Sequence, residues 1–227
     1  MNNMLKMFWK SSIRLKRCGI ALVAAAVLIV TGGAGFLLYV NSHNNFHIVS
    51  AGQLYRSGQM KSDVLAQVIQ DHGIKSILNL RGDSGTMDWY FSETNTAWRL
   101  GVQHFDFSLS ANRELKDEEM DQILTTMSTA PKPILIHCKT GSDRTGLVGA
   151  LYLYGVEGKS PEKAEHELNF IYGHVPHLFW RDTIAMDRSF WRYVSNHVQE
   201  SNLGTLNAKH SLTKQSTQTY LVRNPGE

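Results

Sequence analysis

The segment from Pro133 to Gly155, PILIHCKTGSDRTGLVGALYLYG, places the tightest constraint on the fold. It begins with an apolar run that suits a buried strand, continues through a polar loop, and ends in an apolar stretch that suits a helix. A strand followed by a loop and a helix is the repeating unit of a parallel sheet. In such sheets ligands bind at the carboxyl ends of the strands, where the N-terminus of the next helix attracts anions. The loop from Cys138 to Thr145 is therefore a predicted anion site.

The rest of the chain up to His197 alternates in the same way between strand-like and helix-like segments. We predict an early strand or hairpin in HIVSAGQLYRSGQ and core strands in IKSILNLRGD, VQHFDFSL and PILIHC. The predicted helices are Asp63–His72 with Ser62 as its cap and Gly73 as its stop, Met87–Leu100, KDEEMDQILTTMS, Arg144–Tyr154, a segment opened by Pro161, and Phe179–His197. These elements predict an α/β domain with a mostly parallel central sheet and helices on both faces.

An uncharged apolar run from Cys18 to Val40 precedes this domain, and its length suits a helix that crosses a bilayer. Lysines and arginines cluster before the run, and none follows it until Arg56. This asymmetry predicts a single-pass protein of the bacterial inner membrane, with a cytoplasmic N-terminus and a periplasmic domain. A cleaved signal peptide is the alternative, because small residues occur at Gly32 to Ala34. We prefer an anchor, since the apolar run continues well beyond those residues.

The predicted organisation has five parts: a basic N-terminus (1–17), a transmembrane anchor (18–40), a linker (41–45), a globular domain (46–200) and a polar tail (201–227). The composition, 42% hydrophobic and 19% charged, suits a chain that buries a core. The net charge of +3 is small and partly N-terminal, so we expect no nucleic-acid partner. The ligand spacing of a zinc site is absent, and we expect no metal. The oligomeric state is left open.

The composition of the loop suits phosphate chemistry. Gly141 allows tight curvature, so the backbone N–H groups of Lys139, Thr140, Gly141 and Ser142 can converge on an anion. Arg144 adds a planar fork that can bind two phosphate oxygens. Cys138 cannot plausibly pair with Cys18 in the apolar run, so we interpret it as a free thiol. Donors around such a thiol favour the thiolate, which is a nucleophile for phosphoryl transfer.

The pattern of Cys138, five residues and then Arg144-Thr145, after a strand that ends in His137, resembles the signature loop of the cysteine-dependent protein-tyrosine and dual-specificity phosphatases. The upstream segments LYRSGQ and ILNLRGD resemble those of the small bacterial and plant-fungal dual-specificity-like branch. The resemblance covers roughly Phe46 to His197. It implies a tyrosine-phosphatase-like fold and hydrolysis of phosphate monoesters through a phosphocysteine, without a metal or other cofactor.

The resemblance also implies a role for each residue of the loop. Cys138 is the implied nucleophile, Arg144 binds phosphate and stabilises the transition state, and Thr145 donates a hydrogen bond to the sulfur so that it can leave. Lys139 to Asp143 complete the phosphate-binding loop. For His137 a structural role is the preferred interpretation. Three further residues match family motifs, and we expect them to hold the site together: Tyr55, Arg56 and Arg81.

Two carboxylates are the main candidates for the general acid. Asp106 lies at the family's usual separation before the cysteine, but Ser108 and Leu109 occupy the places where the acid usually stands. Asp143 is the second candidate, because loops of lipid phosphatases and of broad-specificity bacterial phosphatases carry an aspartate there. A salt-bridged or capping carboxylate is the alternative interpretation of Asp143. Weaker candidates are Asp83, Glu114 and Asp117.

The substrate stays open between a phosphorylated protein and a lipid or inositide head group. The predicted anchor and the positive charge of Lys139 favour the lipid, while the signature loop is shared by both classes of phosphatase. A third hypothesis is a pseudophosphatase that binds phosphorylated partners without turnover. Intact Cys138 and Arg144 speak against it.

Overall fold

The computed structural model of the protein describes Arg17, residues 19–33, Gly35, and residues 43–176 and 182–197. Residues 19–33 are helical. Within these described ranges, no helix is both long enough and apolar enough to cross a membrane. Parts of the predicted anchor (18, 34 and 36–40), most of the basic N-terminus (1–16) and the polar tail (201–227) lie outside the described residues. The anchor and the tail therefore stay predictions.

Five strands form the central sheet, in the order β1-β2-β5-β3-β4. They are β1 (His47–Ser50), β2 (Leu54–Ser57), β3 (Ser76–Asn79), β4 (Gln103–Asp106) and β5 (Ile134–His137). β1 pairs with β2 in an antiparallel hairpin, whereas β2, β5, β3 and β4 are parallel. The structure thus confirms the predicted hairpin and the mostly parallel sheet. β5 occupies the middle of the sheet, so the loop that follows it begins between neighbouring strand ends.

Helices cover both faces of the sheet. They are α1 (Ser62–His72), α2 (Asp88–Arg99), α3 (Asp117–Thr129), α4 (Asp143–Gly155), α5 (Pro161–Ala164) and α6 (184–197), with 3-10 turns at Glu165–Glu167 and Phe170–Tyr172. One buried cluster joins α1 and α2 to the sheet, and a larger cluster joins α3, α4 and α6 to its other face. Side chains alternate along β5, so Leu135 belongs to the first cluster while Ile136 and Cys138 belong to the second.

Several helix ends differ from the prediction. Ser62 is the first helical residue of α1 rather than its cap, and Lys61 holds the cap position without a side-chain hydrogen bond. Gly73 ends α1 as predicted, with a left-handed φ of 63°. The helix opened by Pro161 is a single turn, Pro161–Ala164, that continues as a 3-10 turn at Glu165–Glu167. The last helix is described from residue 184, and the predicted start at Phe179 lies in the undescribed segment 177–181.

The domain begins earlier than the predicted linker (41–45) allows. Asn45 is only 2% exposed, and its Nδ2 donates hydrogen bonds to the carbonyl oxygens of Thr140 at 3.0 Å and Tyr172 at 2.8 Å. The carbonyl oxygen of Asn44 accepts a hydrogen bond from the N–H of Gly58 at 2.7 Å. Both asparagines have a φ of 49°, which asparagine tolerates better than most residues. Asn44 and Asn45 are therefore part of the globular domain.

Candidate active site

Cys138 follows β5 directly and opens the loop that leads into α4. Its thiol is free, and the residue is 1% exposed. α4 begins at Asp143, so the loop ends where the unpaired N–H groups of a helix attract an anion. We refer to Cys138–Arg144 as the phosphate loop. Its position at the carboxyl end of the central strand is the one predicted from the sequence.

Gly141 fits the phosphate loop against the end of β2. Its φ is 73°, and a Cβ atom there would lie 2.5 Å from the backbone nitrogen of Gly58 and 2.5 Å from the carbonyl carbon of Ser57. Neither backbone atom can move away cheaply, and the left-handed φ disfavours any side chain. Only glycine allows the loop to pack this closely on β2.

Four consecutive carbonyl groups of the phosphate loop are held from outside the loop. The N–H of Gln59 donates to the Lys139 oxygen at 3.2 Å, and Asn45 holds the Thr140 oxygen. Arg56 donates through Nη2 to the oxygens of Gly141 at 2.7 Å and Ser142 at 3.3 Å. In a trans peptide the N–H points opposite to the C=O of the same unit. The next N–H groups, those of Thr140 to Asp143, therefore point to the inner side of the loop.

Arg56 is completely buried and links the phosphate loop to the segment after α5. Its Nη1 donates to the carbonyl oxygen of Glu167 at 2.8 Å and to the Glu167 carboxylate at 2.5 Å. The guanidinium carbon lies 4.0 Å from the centre of the Tyr172 ring. A buried charge needs such a set of partners, because an isolated one is too costly to desolvate. Arg56 thus has the supporting role that the sequence predicted.

Arg144, the last residue of the phosphate loop, leaves one edge of its guanidinium without a hydrogen-bond partner among the described residues. Its Nη1 donates to the carbonyl oxygens of Leu80 at 3.3 Å and Leu109 at 3.1 Å. Its Nε is buried and has no hydrogen-bond partner in the described part of the chain. An unpaired buried donor in a native site calls for a ligand or water. The Nε–Nη2 edge of the guanidinium is therefore available for two oxygens of one phosphate group.

His137 is buried behind the loop and contacts Glu93 of α2. Its Nε2 lies 3.0 Å from Oε1 of Glu93, and Nε2 of His104 lies 2.9 Å from the same oxygen. Gln59 donates to the other oxygen of Glu93 at 2.5 Å. Burial opposes ionisation of Glu93, but the charge of His137 and the hydrogen bonds of His104, His137 and Gln59 lower its pKa to about 2. This network agrees with the structural interpretation of His137.

Asp106 lies at the end of β4, on the edge of the sheet. Its Oδ1 accepts a hydrogen bond from Nδ2 of Asn79 at 2.8 Å, and its Oδ2 accepts one from the Tyr90 hydroxyl at 2.6 Å. Asn79 pairs in register with both Asp106 and His137, so β3 separates Asp106 from β5 by two strand spacings, about 10 Å. The structure therefore gives Asp106 a bracing role between β4, β3 and α2, away from Cys138.

Asp143 is buried in the first turn of α4 and is bound to His174. Its Oδ1 lies 2.8 Å from Nδ1 of His174, whose Nε2 lies 3.0 Å from Oδ2 of Asp187 on α6. Burial alone would lower the pKa of His174, but the hydrogen bonds and charges of the two carboxylates raise it to about 9. At neutral pH an imidazolium therefore joins the phosphate loop to α6. Asp143 is placed as a brace rather than as a proton donor.

The remaining predicted residues fall into separate groups. Lys139 and Thr140 are exposed at the rim, whereas Ser142 is buried with its hydroxyl 3.3 Å from that of Thr140. Thr145 is buried and its Oγ1 has no hydrogen-bond partner among the described residues, so the predicted hydrogen bond to sulfur is not formed here. The weaker acid candidates have other partners: Asp83 accepts from the N–H of Gly85, and Glu114 and Asp117 pair with Arg192.

Sequence reasoning missed the residues that support the loop from a distance. They are Asn45, Gln59, Glu93, Glu167, His174 and Asp187. Gln59 lies in the LYRSGQ motif, which was the one local signal. The others stand in segments whose composition suits an ordinary linker, helix or turn, and only the fold brings them to the loop.

Comparison with known families agrees with this geometry. Residues 43–219 match the family described as the Swiss Army Knife protein, DSP-PTPase phosphatase domain (PTP-SAK). The chain belongs to this family. The matched range of this PTP-SAK domain includes Asn45, and it extends past residue 200 into the segment predicted as a polar tail. No curated protein sequence matches the chain significantly.

Solved structures with the same fold are those of small phosphatases. P. aeruginosa TpbA is 23% identical with a TM-score of 0.50, over 67% of this chain and 92% of TpbA. The catalytic domain of the PP-IP phosphatase SIW14 from S. cerevisiae is 21% identical with a TM-score of 0.51, over 70% and 93% of the two chains. PTPMT1 is 14% identical with a TM-score of 0.50, over 68% and 99%. At these identities the likeness shows a shared phosphatase fold.

The bracing roles of Asp106 and Asp143 lead to a prediction for leaving-group dependence. Asp106→Asn and Asp143→Asn should each slow the hydrolysis of aryl and alkyl phosphates by similar factors, because misplacing the phosphate affects both esters alike. Loss of a general acid would instead slow alkyl esters selectively, typically by 10²–10⁴-fold, since an aryl oxide leaves without a proton. The measurement is kcat/KM for an aryl and an alkyl ester with each variant. A selective loss for alkyl esters would identify that residue as the acid.

The bridge at His174 predicts a pH-dependent contribution to stability. Because the folded pKa, about 9, exceeds the unfolded value of 6.5, this contribution is complete below about pH 6.5 and is lost as the pH rises through 9. We expect His174→Gln to lower the free energy of unfolding by on the order of 2 kcal/mol at pH 6, and the deficit to shrink toward pH 9.5. Chemical denaturation at both pH values measures it. Exposed His166 provides the control variant, His166→Gln, and a deficit that does not change with pH would contradict the bridge.

Proposed function

We propose that this chain is a phosphatase that hydrolyses phosphate monoesters through a covalent phosphocysteine at Cys138. The observation that carries the proposal is the Nε–Nη2 edge of Arg144, which has no hydrogen-bond partner among the described residues and belongs to the last residue of the loop whose N–H groups turn inward. Membership of a phosphatase family and the position of a free thiol at the start of the same loop support it. The phosphate class of ligand follows from the planar fork and the converging N–H donors.

The proposed reaction has two steps. In the first, the thiolate sulfur of Cys138 attacks phosphorus, the S–P bond forms, and the ester P–O bond breaks; an alkyl leaving oxygen takes its proton from solvent water, whereas an aryl oxide leaves without one. In the second, water attacks phosphorus and gives its proton to solvent or base, the S–P bond breaks, and inorganic phosphate leaves with the thiolate restored. The N–H groups of the loop and the Arg144 fork bind the equatorial oxygens, where negative charge is spread in the transition state.

A phosphorylated protein, with phosphotyrosine as the first candidate, is the proposed substrate class. A lipid head group is the second candidate, favoured by one contact. Asn45 binds the Thr140 carbonyl of the phosphate loop and stands only five residues after Val40, where the predicted anchor ends. Five extended residues span at most about 18 Å. If residues 18–40 cross the membrane, the phosphate loop works close to the bilayer surface.

We further propose that residues 18–40 anchor the protein and that the phosphatase domain faces the periplasm. The support is the basic cluster before the apolar run and the lack of lysine and arginine between Val40 and Arg56. A periplasmic phosphatase domain would act on substrates outside the cytoplasm or in the outer leaflet of the inner membrane.

Replacement of the nucleophile tests the chemistry. Cys138→Ser should abolish turnover of an aryl phosphate while binding of inorganic phosphate persists, because a hydroxyl is a far weaker nucleophile than a thiolate but fits the same loop. Turnover is followed by phosphate release, and binding by calorimetry with the full chain. Half-buried Ser84, outside the phosphate loop, gives a matched control in Ser84→Ala, which should keep full turnover. A serine variant that turns over normally would remove Cys138 from the mechanism.

Protease accessibility tests the topology. Protease added to intact spheroplasts should digest the phosphatase domain, since the charge asymmetry predicts that it lies outside the inner membrane. A cytoplasmic protein of the same cells serves as the control for intact spheroplasts and should survive. Complete protection of the domain until the cells are lysed would overturn the predicted orientation.

A further inference from the structure

Arg81 resembles Arg144 in one property that the other arginines of the described domain lack. Arg81 and Arg144 are both half-buried, and neither has a carboxylate partner among the described residues. The arginines that pair with carboxylates are Arg56, Arg113, Arg188 and Arg192, and the remaining one among the described residues of the domain, Arg99, is exposed. A guanidinium that is partly withdrawn from water gains from an anion nearby. For Arg144 that anion is the phosphate of the proposed substrate. We therefore ask which anion Arg81 could bind.

Neutral groups hold Arg81 in a fixed orientation. Its Nη1 donates to Oε1 of Gln59 at 3.0 Å, and its guanidinium carbon lies 3.5 Å from the centre of a Trp89 ring. Gln59 is itself fixed, because its Nε2 donates to Glu93 and so turns its Oε1 toward Arg81. In the described part of the chain, Nη1 is the only side-chain nitrogen of Arg81 that donates a hydrogen bond to the protein, while the backbone N–H of Arg81 donates to Asn79. The Nε–Nη2 edge is thus oriented and unused, as it is in Arg144.

Arg81 is linked to the phosphate loop through two neighbours, Leu80 and Gln59. It follows Leu80, whose carbonyl oxygen accepts the hydrogen bond of Arg144 at 3.3 Å. Its partner Gln59 donates its backbone N–H to the carbonyl oxygen of Lys139 at 3.2 Å. Burial and the nearby charge of Arg144 lower the pKa of Arg81, against the raising effect of the charges of Glu93 and Cys138, so Arg81 lies within electrostatic range of the phosphate loop. Two guanidinium groups repel each other, and anions bound at both relieve the repulsion.

We propose that Arg81 forms a second anion subsite beside the phosphate loop, which binds a second phosphate group on the same substrate molecule. The inference rests on the proposed function, because the first phosphate is the one held by the loop and Arg144. This subsite favours a small phosphate ester over the phosphorylated protein that was proposed first: a compact ester with two neighbouring phosphates, either free in solution or carried as a lipid head group. Trp89 and Gln59 keep the guanidinium oriented before the substrate arrives, so little rotamer freedom is lost on binding.

Two simple anions test the subsite. One inorganic phosphate ion occupies one site, whereas the proposal expects one pyrophosphate ion to contact both. Each anion is used to inhibit aryl phosphate hydrolysis by the full chain. We expect pyrophosphate to bind the wild type about tenfold or more tightly than phosphate, as one added charge-assisted contact would give. Arg81→Gln should remove most of this preference. Arg81→Lys should restore part of it, because the ammonium keeps the charge without the planar fork.

Arg99→Gln is the matched control, since Arg99 is an exposed arginine on α2 without a carboxylate partner in the described structure. It should leave the preference for pyrophosphate unchanged. Equal weakening of phosphate and pyrophosphate by Arg81→Gln, in a variant whose melting temperature matches the wild type, would overturn the proposal. Absence of any preference in the wild type would overturn it as well.

A binding measurement separates this proposal from the catalytic one. Calorimetry with Cys138→Ser compares phosphate and pyrophosphate without turnover, so a preference that depends on Arg81 supports the subsite even if no ester is hydrolysed. Turnover that depends on Cys138, without a preference for pyrophosphate, would support the proposed phosphatase activity and contradict the proposed anion subsite at Arg81. An inositol carrying two adjacent phosphates, offered free and as a lipid in vesicles, then distinguishes the two sources by which form is hydrolysed faster.

Discussion

The site depends on hydrogen bonds that bind four consecutive carbonyl groups of the phosphate loop from outside the loop. Gln59, Asn45 and Arg56 hold the carbonyl oxygens of Lys139 to Ser142 from outside the loop. Peptide planarity then turns the intervening N–H groups inward, without any ligand to attract them. Arg56 contributes the strongest of these contacts, since hydrogen bonds to a charged group are worth about 1.5–3 kcal/mol each. Removing a partner of this buried arginine costs about 3–5 kcal/mol, because the charge would be left uncompensated.

Charge is distributed unevenly between the back and the mouth of the site. Behind the loop the acidic groups are matched: Glu167 with Arg56, Glu93 with His137, and Asp143 with His174. At the mouth, Arg144 and Arg81 are held by carbonyl, amide and indole groups rather than by carboxylates of the described residues. Because the carboxylates behind the loop are already paired, they do not cancel the positive charge of Arg144 and Arg81. A concentrated positive field of this kind attracts anionic ligands.

The sequence predicted the elements that local patterns determine. Alternation of apolar runs with helical periodicity gave the parallel sheet, and the apolar run before Cys138 put the loop at the end of its central strand. The loop's supports were not foreseeable, because Asn45 and Thr140, or Asp143 and His174, meet only through the fold. The case for Asp106 as one of the two candidate acids relied on its separation from Cys138 along the chain. Phe105 and Phe107 on either side pack against the α3–α4 cluster, so alternation directs Asp106 to the other face.

The contact of Asn45 with the phosphate loop makes the start of the domain part of its active site. Many small domains can be shortened or given new N-terminal partners because their first residues contact little else. Here Asn44 and Asn45 adopt left-handed backbone conformations and hold Gly58, Thr140 and Tyr172. A displacement of Asn45 would act directly on the carbonyl of Thr140, through the hydrogen bond that joins them. The start of the domain is thus coupled to the phosphate loop, and a fusion that displaced these two asparagines would disturb the ligand site.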